Sequence, residues 1–440
     1  MKNQYRRQKA VLTALALILL IAAAFPWRIW VNLQSDLRIL EGEQHYVNIA
    51  SPLTVHVKGD KDGILSLNGM PVNTQASKHS LSGPLQFTAQ SLGSVNLEFR
   101  LFGVIPLRQL TVNVLPEKKL IPGGHSVGIK LHSDGVLVVG HHLVASGQGA
   151  SSPAKDAGIE VGDVILAIDG VKLEDANQVA DIITKKGTAG NPISFQIKRG
   201  SEKIETKVTP MLCQETESPR IGLYVRDSAA GVGTMTFYDP DTGIYGALGH
   251  VITDVDTNQA IEVKDGQLVK ANIVNIKAAR RGYPGEKTGI FQEGQDIVGN
   301  IEKNCIYGIF GRLTKLGPVQ GNVNTPMPMA LMSQVEPGPA EILTVLEGEN
   351  IERFEIEIQR VYNQARPSDK GMVIRVTDQR LLDTTGGIVQ GMSGSPIIQD
   401  GRIVGAVTHV FVNDPTRGYG IFIEWMVMES GILDAVGDNV

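Results

Sequence analysis

The sequence is poor in the residues on which several large classes of protein depend. It has two cysteines, Cys213 and Cys305, in 440 residues, which excludes a disulfide framework and a thiolate metal site. We expect both thiols to be free. The formal net charge of -5 gives no electrostatic basis for binding nucleic acid. Aromatic residues make up only 5% of the chain, whereas glycine occurs 49 times, a balance that favours β-rich domains with many turns.

The N-terminus has the pattern of an export signal. Four basic residues precede an uncharged apolar run that extends from residue 10 to residue 26: Lys2, Arg6, Arg7 and Lys9. The run is short for a membrane-spanning helix, but Trp27 and Trp30 at the interface would complete it. We therefore predict that residues 1–30 form an uncleaved membrane anchor. The alternative is a removed signal peptide, for which Ala22 and Ala24 resemble a cleavage site.

Residues 31–116 are predicted to form a small all-β sandwich. Apolar and polar residues alternate over segments such as 54–57, 85–88 and 95–99, as expected of strands with one buried face. Turn residues, including Asn68-Gly69, separate these segments. Because no catalytic grouping stands in this region, we interpret it as a spacer that holds the rest of the chain away from the membrane.

Residues 117–212 resemble the PDZ family. The resemblance is carried by SPAKDAG at residues 152–158, which suits a small helix, and by GDVILAIDG at residues 162–170, which suits the strand that follows it. It implies that Val127, Gly128 and Ile129 form the loop that binds the C-terminal carboxylate of a peptide, while the peptide adds as a strand to the adjacent sheet edge. The neighbouring pair His141-His142 has no further ligands at suitable spacing, so we predict no metal site and no cofactor.

Residues 217–440 have the pattern of a catalytic domain built from short strands. Strand and turn signals recur throughout this region, which predicts a pair of six-stranded β-barrels. Within it, residues 386–407 read as strand, glycine-rich elbow, strand, turn and strand, and the elbow has the sequence GMSGS at residues 391–395. A serine on such an elbow has an exposed hydroxyl and free backbone N–H groups nearby. An acyl-transfer nucleophile needs both features, so the sequence predicts a serine peptidase.

A serine nucleophile also needs a base and a group that orients the base. Only two of the nine histidines lie in the catalytic half, and His250 is preferred to His409, which we expect to line the substrate groove or the core. The acid is less determined. Asp378 follows a strand and is the leading candidate, and three further aspartates remain possible: Asp254, Asp256 and Asp383.

The order of the motifs resembles the chymotrypsin-type peptidases, and more closely the stage IV sporulation protein B peptidases of endospore-forming bacteria. Those peptidases have an N-terminal anchor, a β region, a PDZ domain and a peptidase domain with G-x-L-G-H, T-D and G-M-S-G-S-P motifs, which stand in this sequence at 246–250, 377–378 and 391–396. The resemblance implies that His250 is the base, Asp378 orients it and Ser393 is the nucleophile. It further implies an oxyanion hole formed by the N–H groups of Gly391 and Ser393. Ser395 remains a rival nucleophile.

The expected fold is therefore mainly β and multidomain: an N-terminal membrane helix, a β-sandwich, an α+β PDZ domain and a chymotrypsin-like double β-barrel. The resemblance also implies that the chain is a tethered serine endopeptidase, which cleaves itself and a membrane-associated regulator in the space between the mother-cell and forespore membranes. Its expected partners are protein substrates and C-terminal peptides at the PDZ groove. The alternative is an inactive peptidase fold that serves as a binding and signalling protein.

Overall fold

The computed structural model describes residues 36–47, 54–80, 83–101, 103–147, 149–187, 191–291, 297–314, 325–364 and 366–433. The predicted anchor at residues 1–30 lies outside these residues. None of the helices in the described ranges has the length and apolar character needed to cross a membrane. The chain divides into two compact units after Lys118, and residues 363–367 group with the first unit. Cys213 and Cys305 are both free thiols.

The first unit consists of two sheets that enclose one apolar core. Its strands are β1 (Asp36–Leu40), β2 (Gln44–Val47), β3 (Thr54–Gly59), β4 (Leu65–Leu67), β5 (Met70–Pro71), β6 (Ser77–Ser80), β7 (Leu85–Ala89), β8 (Gly93–Leu101) and β9 (Ile105–Leu115). They form a five-stranded sheet of order β1-β9-β8-β3-β6 and a four-stranded sheet of order β2-β7-β4-β5. Val57, Phe87 and Leu97 are buried between them because alternate residues of each strand face inward.

The second unit contains the remaining strands and helices. The strands up to residue 220 are β10 (Lys119–Pro122), β11 (Ser126–His141), β12 (Val144–Ser146), β13 (Gly149–Ser151), β14 (Val164–Ile168), β15 (Val171–Lys172), β16 (Ile193–Arg199), β17 (Glu202–Val208), β18 (Met211–Leu212) and β19 (Pro219–Arg220). Those up to residue 328 are β20 (Leu223–Tyr238), β21 (Ile244–Ala247), β22 (Val263–Lys270), β23 (Asn272–Lys277), β24 (Glu286–Ile290), β25 (Ile297–Asn300), β26 (Lys303–Cys305), β27 (Gly308–Arg312) and β28 (Met327–Pro328). The last are β29 (Gly338–Val345), β30 (Ile351–Val361), β31 (Met372–Val376), β32 (Pro396–Gln399), β33 (Arg402–Val410) and β34 (Arg417–Phe422).

Four α-helices and one 3-10 turn complete this unit in the described ranges. The helices are α1 (Pro153–Asp156), α2 (Asn177–Lys186), α3 (Gln379–Thr385) and α4 (Ile423–Ser430), and the 3-10 turn is Met332–Gln334. Helix α3 ends at Gly386, which adopts a left-handed conformation at its C-cap. The sequence pattern does not predict α3, and this helix determines the position of Asp378, its N-cap residue.

Two long strands join the PDZ lobe to the first half of the predicted peptidase. Strands β11 and β20 are each 16 residues long and run side by side, from Ser126↔Thr234 at one end to His141↔Leu223 at the other. The first part of β11 also pairs with β22, and its last part pairs with β14 of the PDZ lobe. Strands on both sides of the predicted boundary at residue 217 therefore belong to one sheet.

One of the two predicted six-stranded barrels is present among the described strands. Strands β29–β34 close into a six-stranded barrel of order β29-β30-β31-β34-β33-β32. The strands of the first half instead belong to a 13-stranded sheet that continues into the PDZ lobe through β11 and β20. Among the described strands, only β29–β34 form a closed barrel.

Candidate active site

The elbow at residues 391–395 is fixed by contacts with the first half of the peptidase. Gly394 has a φ of 94° and lies so close to β20 that a Cβ there would stand 2.0 Å from the carbonyl oxygen of Thr234. The buried Thr234 hydroxyl donates to the carbonyl of Gly391 (2.7 Å), and the Met392 N–H donates to the carbonyl of Val389 (3.0 Å). The peptide group between residues 391 and 392 is thus held at both of its polar atoms.

The same turn leaves two N–H groups beside the predicted nucleophile without a partner. Among the described residues, the N–H groups of Gly391 and Ser393 donate to no acceptor, whereas the next two N–H groups, of Gly394 and Ser395, are both bonded. The Ser393 hydroxyl donates to the carbonyl of Thr408 (2.7 Å). An oxyanion needs unpaired donors of this kind next to the attacking oxygen, and the role of these two N–H groups stays a prediction.

His250 follows a strained turn at the end of β21. Leu248 has a φ of 68°, which is rare for a bulky residue, and its side chain packs against Gly233 in β20. The His250 Nδ1 lies 2.9 Å from the carbonyl of Val251. Because a carbonyl can only accept, Nδ1 carries the hydrogen and Nε2 keeps its lone pair, as a general base requires. Burial lowers the pKa of His250, while the Val251 bond and the charge of Asp369 oppose that effect, so the ring is neutral at pH 7.

The structure brings the predicted base and nucleophile into one neighbourhood. A Cβ on Gly249 would stand 2.9 Å from the Thr408 side chain, and Thr408 is the residue whose carbonyl accepts from Ser393. The two functional side chains are not hydrogen-bonded to each other, since Ser393 bonds Thr408 and His250 bonds Val251. This is a resting arrangement in which the hydroxyl has to rotate before it reaches the imidazole.

Asp378, the predicted orienting acid, stands at the start of helix α3. Its carboxylate accepts from the N–H of Leu381 (2.9 Å) and caps the N-terminus of α3. Among the described residues, the only carboxylate whose charge shifts the pKa of His250 is that of Asp369. The capping bond uses one carboxylate oxygen of Asp378, and its role as the orienter of His250 stays a prediction.

The other rival residues are also accounted for. Asp254 accepts from Arg226 and from Thr257, within its own turn, and Asp256 forms an ion pair with Arg226 (2.8 Å). Asp383 accepts from the side chain of Gln379 (2.7 Å). Ser395 is fully buried, so its hydroxyl is closed to a substrate. In the described ranges, no group of three or more His, Cys, Asp or Glu side chains is arranged to hold a metal ion.

The predicted carboxylate-binding loop of the PDZ lobe is misplaced. Val127, Gly128 and Ile129 lie inside β11, paired with β20 on one side and with β22 on the other. Backbone groups in an interior strand are consumed by the sheet and cannot receive a peptide. The prediction is therefore wrong, and the segment belongs to the peptidase half of the unit.

A second stretch of the same character, Arg220-Ile221-Gly222-Leu223, has the properties of that loop. The Ile221 carbonyl accepts from Ala154 N–H (2.9 Å), and the Gly222 carbonyl accepts from His142 N–H (3.0 Å). The N–H groups of Ile221 and Gly222 donate to no acceptor among the described residues. With the carbonyls turned into the lobe and the N–H groups unpaired, the loop suits an anion such as a terminal carboxylate.

The strand after this loop forms one wall of a groove. Residues 223–226 of β20 pair only with β11 in the described structure, which leaves their other edge open. Helix α2 runs beside that edge: its N-terminal end is tied by a bond from Ala176 N–H to Asp227 (2.8 Å), and Gly187 at its C-terminal end lies against Pro219. An extended peptide can add to this edge and place its carboxylate at Ile221 and Gly222.

Comparison with known proteins identifies the two parts of the second unit. Residues 217–427 match the family described as SpoIVB peptidase S55, and residues 127–209 match the PDZ domain. The PDZ match ends before residues 219–226, so it includes α2 but not the loop and strand on the other side of the groove. The catalytic half is a serine peptidase domain by this match.

Individual relatives resemble shorter parts of the chain. A Bartonella henselae protein classed by name among the zinc metalloproteases is 32% identical over 90 residues, which are 20% of this chain and 24% of that protein. The serine protease HTRA1 of Xenopus tropicalis is 39% identical over 59 residues, 13% of this chain and 12% of that protein. The chain thus matches a quarter or less of the length of these two relatives.

Among solved structures, the Rv3671c protease from M. tuberculosis in its active form covers 47% of this chain and 74% of that chain, at 13% identity and a TM-score of 0.26. The PDZ domain of an SdrC-like protein from Listeria monocytogenes covers 21% of this chain and 87% of that chain, at 24% identity and a TM-score of 0.17. At these TM-scores neither structure defines the fold.

Proposed function

We propose that this chain, which belongs through residues 217–427 to the SpoIVB peptidase S55 family of serine peptidases, is an endopeptidase that cuts protein partners held by its PDZ lobe. The observation that carries the proposal is the surroundings of Ser393. Among the described residues, the N–H groups of Gly391 and Ser393 have no acceptor, and the neutral His250, with Nε2 unbonded, follows Gly249, which lies against Thr408. Nucleophile, base and oxyanion donors are the parts that acyl transfer requires.

The chemistry follows from these positions. The Ser393 hydroxyl turns from the Thr408 carbonyl to His250 Nε2, gives up its proton there, and attacks the carbonyl carbon of the scissile peptide bond. The negative charge that develops on the carbonyl oxygen is stabilised by the N–H groups of Gly391 and Ser393. The protonated His250 then gives the proton to the leaving amine, and a water molecule, deprotonated by the same imidazole, hydrolyses the acyl-enzyme.

A fluorophosphonate probe tests this proposal without knowledge of the substrate. The wild-type chain should be labelled on Ser393, and the variants Ser393→Ala and His250→Gln should not. Ser395→Ala is the matched control, since it removes a hydroxyl two residues away that is closed to solvent, and it should be labelled as fast as the wild type. Labelling that survives in Ser393→Ala, or that is lost only in Ser395→Ala, would contradict the assignment.

The PDZ lobe supplies the second part of the proposal, the recognition of C-terminal peptides at the loop of Ile221 and Gly222. A heptapeptide selected from a C-terminal display library should bind with a free carboxylate and lose affinity as its amide. In NMR spectra of the full chain, the peptide should shift the amide signals of Ile221 and Gly222. Shifts confined to the amide signals of Val127–Ile129 would show that the peptide binds at the loop predicted from the sequence.

The setting of the reaction is proposed from the family and from the N-terminal sequence. A basic flank and an apolar run support export and tethering by residues 1–30. We propose that the chain cleaves itself between this segment and the PDZ lobe, and that it cleaves a membrane-associated regulator between the two membranes of a sporulating cell. Mass spectrometry of the purified chain should find N-terminal fragments that are missing in Ser393→Ala. Fragments of the same size in both samples would show cleavage by another peptidase.

One observation favours a second candidate function, that of an inactive binding protein. The Ser393 hydroxyl is engaged by Thr408 and not by His250 in the resting structure. If no condition, including a bound PDZ peptide, makes Ser393 react with the fluorophosphonate while the peptide still binds, the binding function stands and the peptidase proposal is withdrawn.

A further inference from the structure

A buried lysine lies beside the turn that carries the proposed oxyanion donors. Lys287, in β24, is only 5% exposed, and its ammonium donates to the hydroxyl of the buried Thr344 (2.6 Å) in β29. Among the described residues, no carboxylate forms an ion pair with Lys287, and the adjacent Glu286 pairs with Lys277 instead. A buried cation without a counter-ion lowers the stability of a fold, so Lys287 is a candidate for a functional role.

Both the backbone and the side chain of Lys287 contact the oxyanion turn. The Lys287 N–H donates to the carbonyl of Gln390 (2.9 Å), and the Gln390 N–H donates to the carbonyl of Gly285 (3.1 Å). The Cβ, Cγ and Cδ atoms of Lys287 lie 3.1–3.4 Å from the position that a Cβ would take on Gly391. The aliphatic part of the lysine therefore packs directly against the Cα of Gly391, in space that a side chain on that residue would need.

The charge of Lys287 is close to the oxyanion donors and is not balanced by its surroundings. Nζ is two bonds beyond Cδ and each bond is about 1.5 Å long, so the ammonium lies within about 8 Å of the Gly391 N–H. Burial lowers the pKa of Lys287 to about 7. The charged groups on the strands packed against it and at α3 are engaged elsewhere in the described structure: Glu286 with Lys277, Glu341 with Arg353, Arg226 with Asp254 and Asp256, Asp227 with Ala176 N–H, Asp378 with Leu381 N–H, and Asp383 with Gln379.

We propose that Lys287 is a positioning residue of the oxyanion site: its side chain supports the turn at Gly391, and its ammonium stabilises the negative charge that develops on the substrate carbonyl oxygen. The inference rests on the proposed peptidase function. In the resting protein this cation has only the neutral Thr344 hydroxyl as a partner, whereas acyl transfer brings a negative charge to the adjacent N–H groups. An interaction that is stronger in the transition state than in the resting enzyme raises the rate of reaction.

The variant Lys287→Met separates the charge from the packing, because methionine keeps an unbranched side chain of similar length. At pH 6 the full chain carrying Lys287→Met should be labelled by the fluorophosphonate about tenfold more slowly than the wild type, although it should resist urea better. Lys277→Met is the matched control, since it removes an exposed ammonium from the paired strand β23, and it should be labelled at the wild-type rate. An unchanged rate in Lys287→Met, or an equal loss in Lys277→Met, would overturn the proposal.

The pH dependence of labelling gives a readout that a packing role would not move. The ratio of the wild-type rate to the Lys287→Met rate should be largest at pH 6, where the amine is protonated, and should approach one at pH 9, where it is neutral. A ratio that is the same at every pH would contradict the role of the charge.

A second variant keeps the lysine, so the test stands if Lys287→Met does not fold. Thr344→Val removes the only hydrogen bond of the ammonium in the described structure and should lower the pKa of Lys287 further. The decline in labelling rate with rising pH should therefore begin at a lower pH than in the wild type, and an unmoved decline would overturn the proposal. A wild-type chain that is not labelled at any pH refutes the peptidase function itself, whereas a labelled wild type with a ratio of one refutes only the role of Lys287.

Discussion

Thr234→Val should weaken both the stability and the reactivity of the elbow. Thr234 is fully buried in β20, and its hydroxyl is the donor that holds the carbonyl of Gly391 at 2.7 Å. Valine has nearly the same shape but no donor, so the Gly391 carbonyl would be left buried and unpaired. An unpaired buried carbonyl costs about 1–3 kcal/mol, and we expect the free energy of unfolding to fall by that amount.

The effect on reactivity follows from the peptide group between Gly391 and Met392. With the carbonyl released, only the Met392 N–H bond to Val389 still orients this peptide. The adjacent N–H groups of Gly391 and Ser393 then lose their fixed direction toward the oxyanion. Since removal of one oxyanion donor costs roughly 100–1,000-fold in rate, a donor that is only loosened should cost about 10–100-fold in the rate of fluorophosphonate labelling.

Thr234→Ser is the matched control for this prediction. Serine keeps the donor to Gly391 and removes one buried methyl group, so it should cost about 1 kcal/mol of stability and leave the labelling rate close to wild type. Urea unfolding and labelling kinetics are measured on the same three proteins. If the valine variant is labelled as fast as wild type, or if the serine variant is slowed as much as the valine variant, the hydrogen bond does not hold the oxyanion turn.

Two further predictions concern groups buried near the same barrel. Asp378→Ala should lower the thermal midpoint measured by calorimetry, because loss of the cap on Leu381 N–H costs about 1 kcal/mol. An unchanged midpoint would show that the cap does not stabilise the fold. Lys287 is fully buried, its ammonium donates to Thr344 (2.6 Å), and burial lowers its pKa to about 7. The unfolded chain binds this proton more tightly than the folded chain. The buried lysine therefore lowers the free energy of unfolding by its full amount below pH 7, and this penalty disappears above the ordinary pKa of lysine. Lys287→Met should therefore raise the urea midpoint at pH 6 and give a much smaller gain at pH 10; an equal gain at both would refute the reasoning.

The sequence was sufficient wherever the chemistry depends on a short local pattern. The elbow of Ser393 and the turn of His250 are each encoded by glycines and small residues within a few positions of the functional side chain. The alternation of apolar residues likewise predicts the sandwich of the first unit and the closed barrel of the second. The family match over residues 217–427 includes the elbow of Ser393 and the turn of His250.

Asp378 shows where local reading fails to predict a helix. An aspartate after a strand can point into a site and can also cap a helix, and the residues that follow it support the cap. Leu381 is buried on one face of α3, and Gly386 ends the helix in a left-handed conformation. Both signals are present in the sequence, but a helix of seven residues is too short to show a clear period.

The misplaced PDZ loop has a different cause, which lies in the pairing of distant strands. Ser126-Val127-Gly128-Ile129 and Arg220-Ile221-Gly222-Leu223 have similar composition, and either could precede a peptide-binding strand. The two segments differ in their strand neighbours. The first half of β11 pairs with β22 as well as with β20, whereas residues 223–226 of β20 have one unpaired edge, beside α2, in the described structure. A strand's number of neighbours is fixed by the whole sheet and not by its own residues. The two strands that join the lobes therefore contribute to both candidate sites, although one precedes residue 217 and the other follows it.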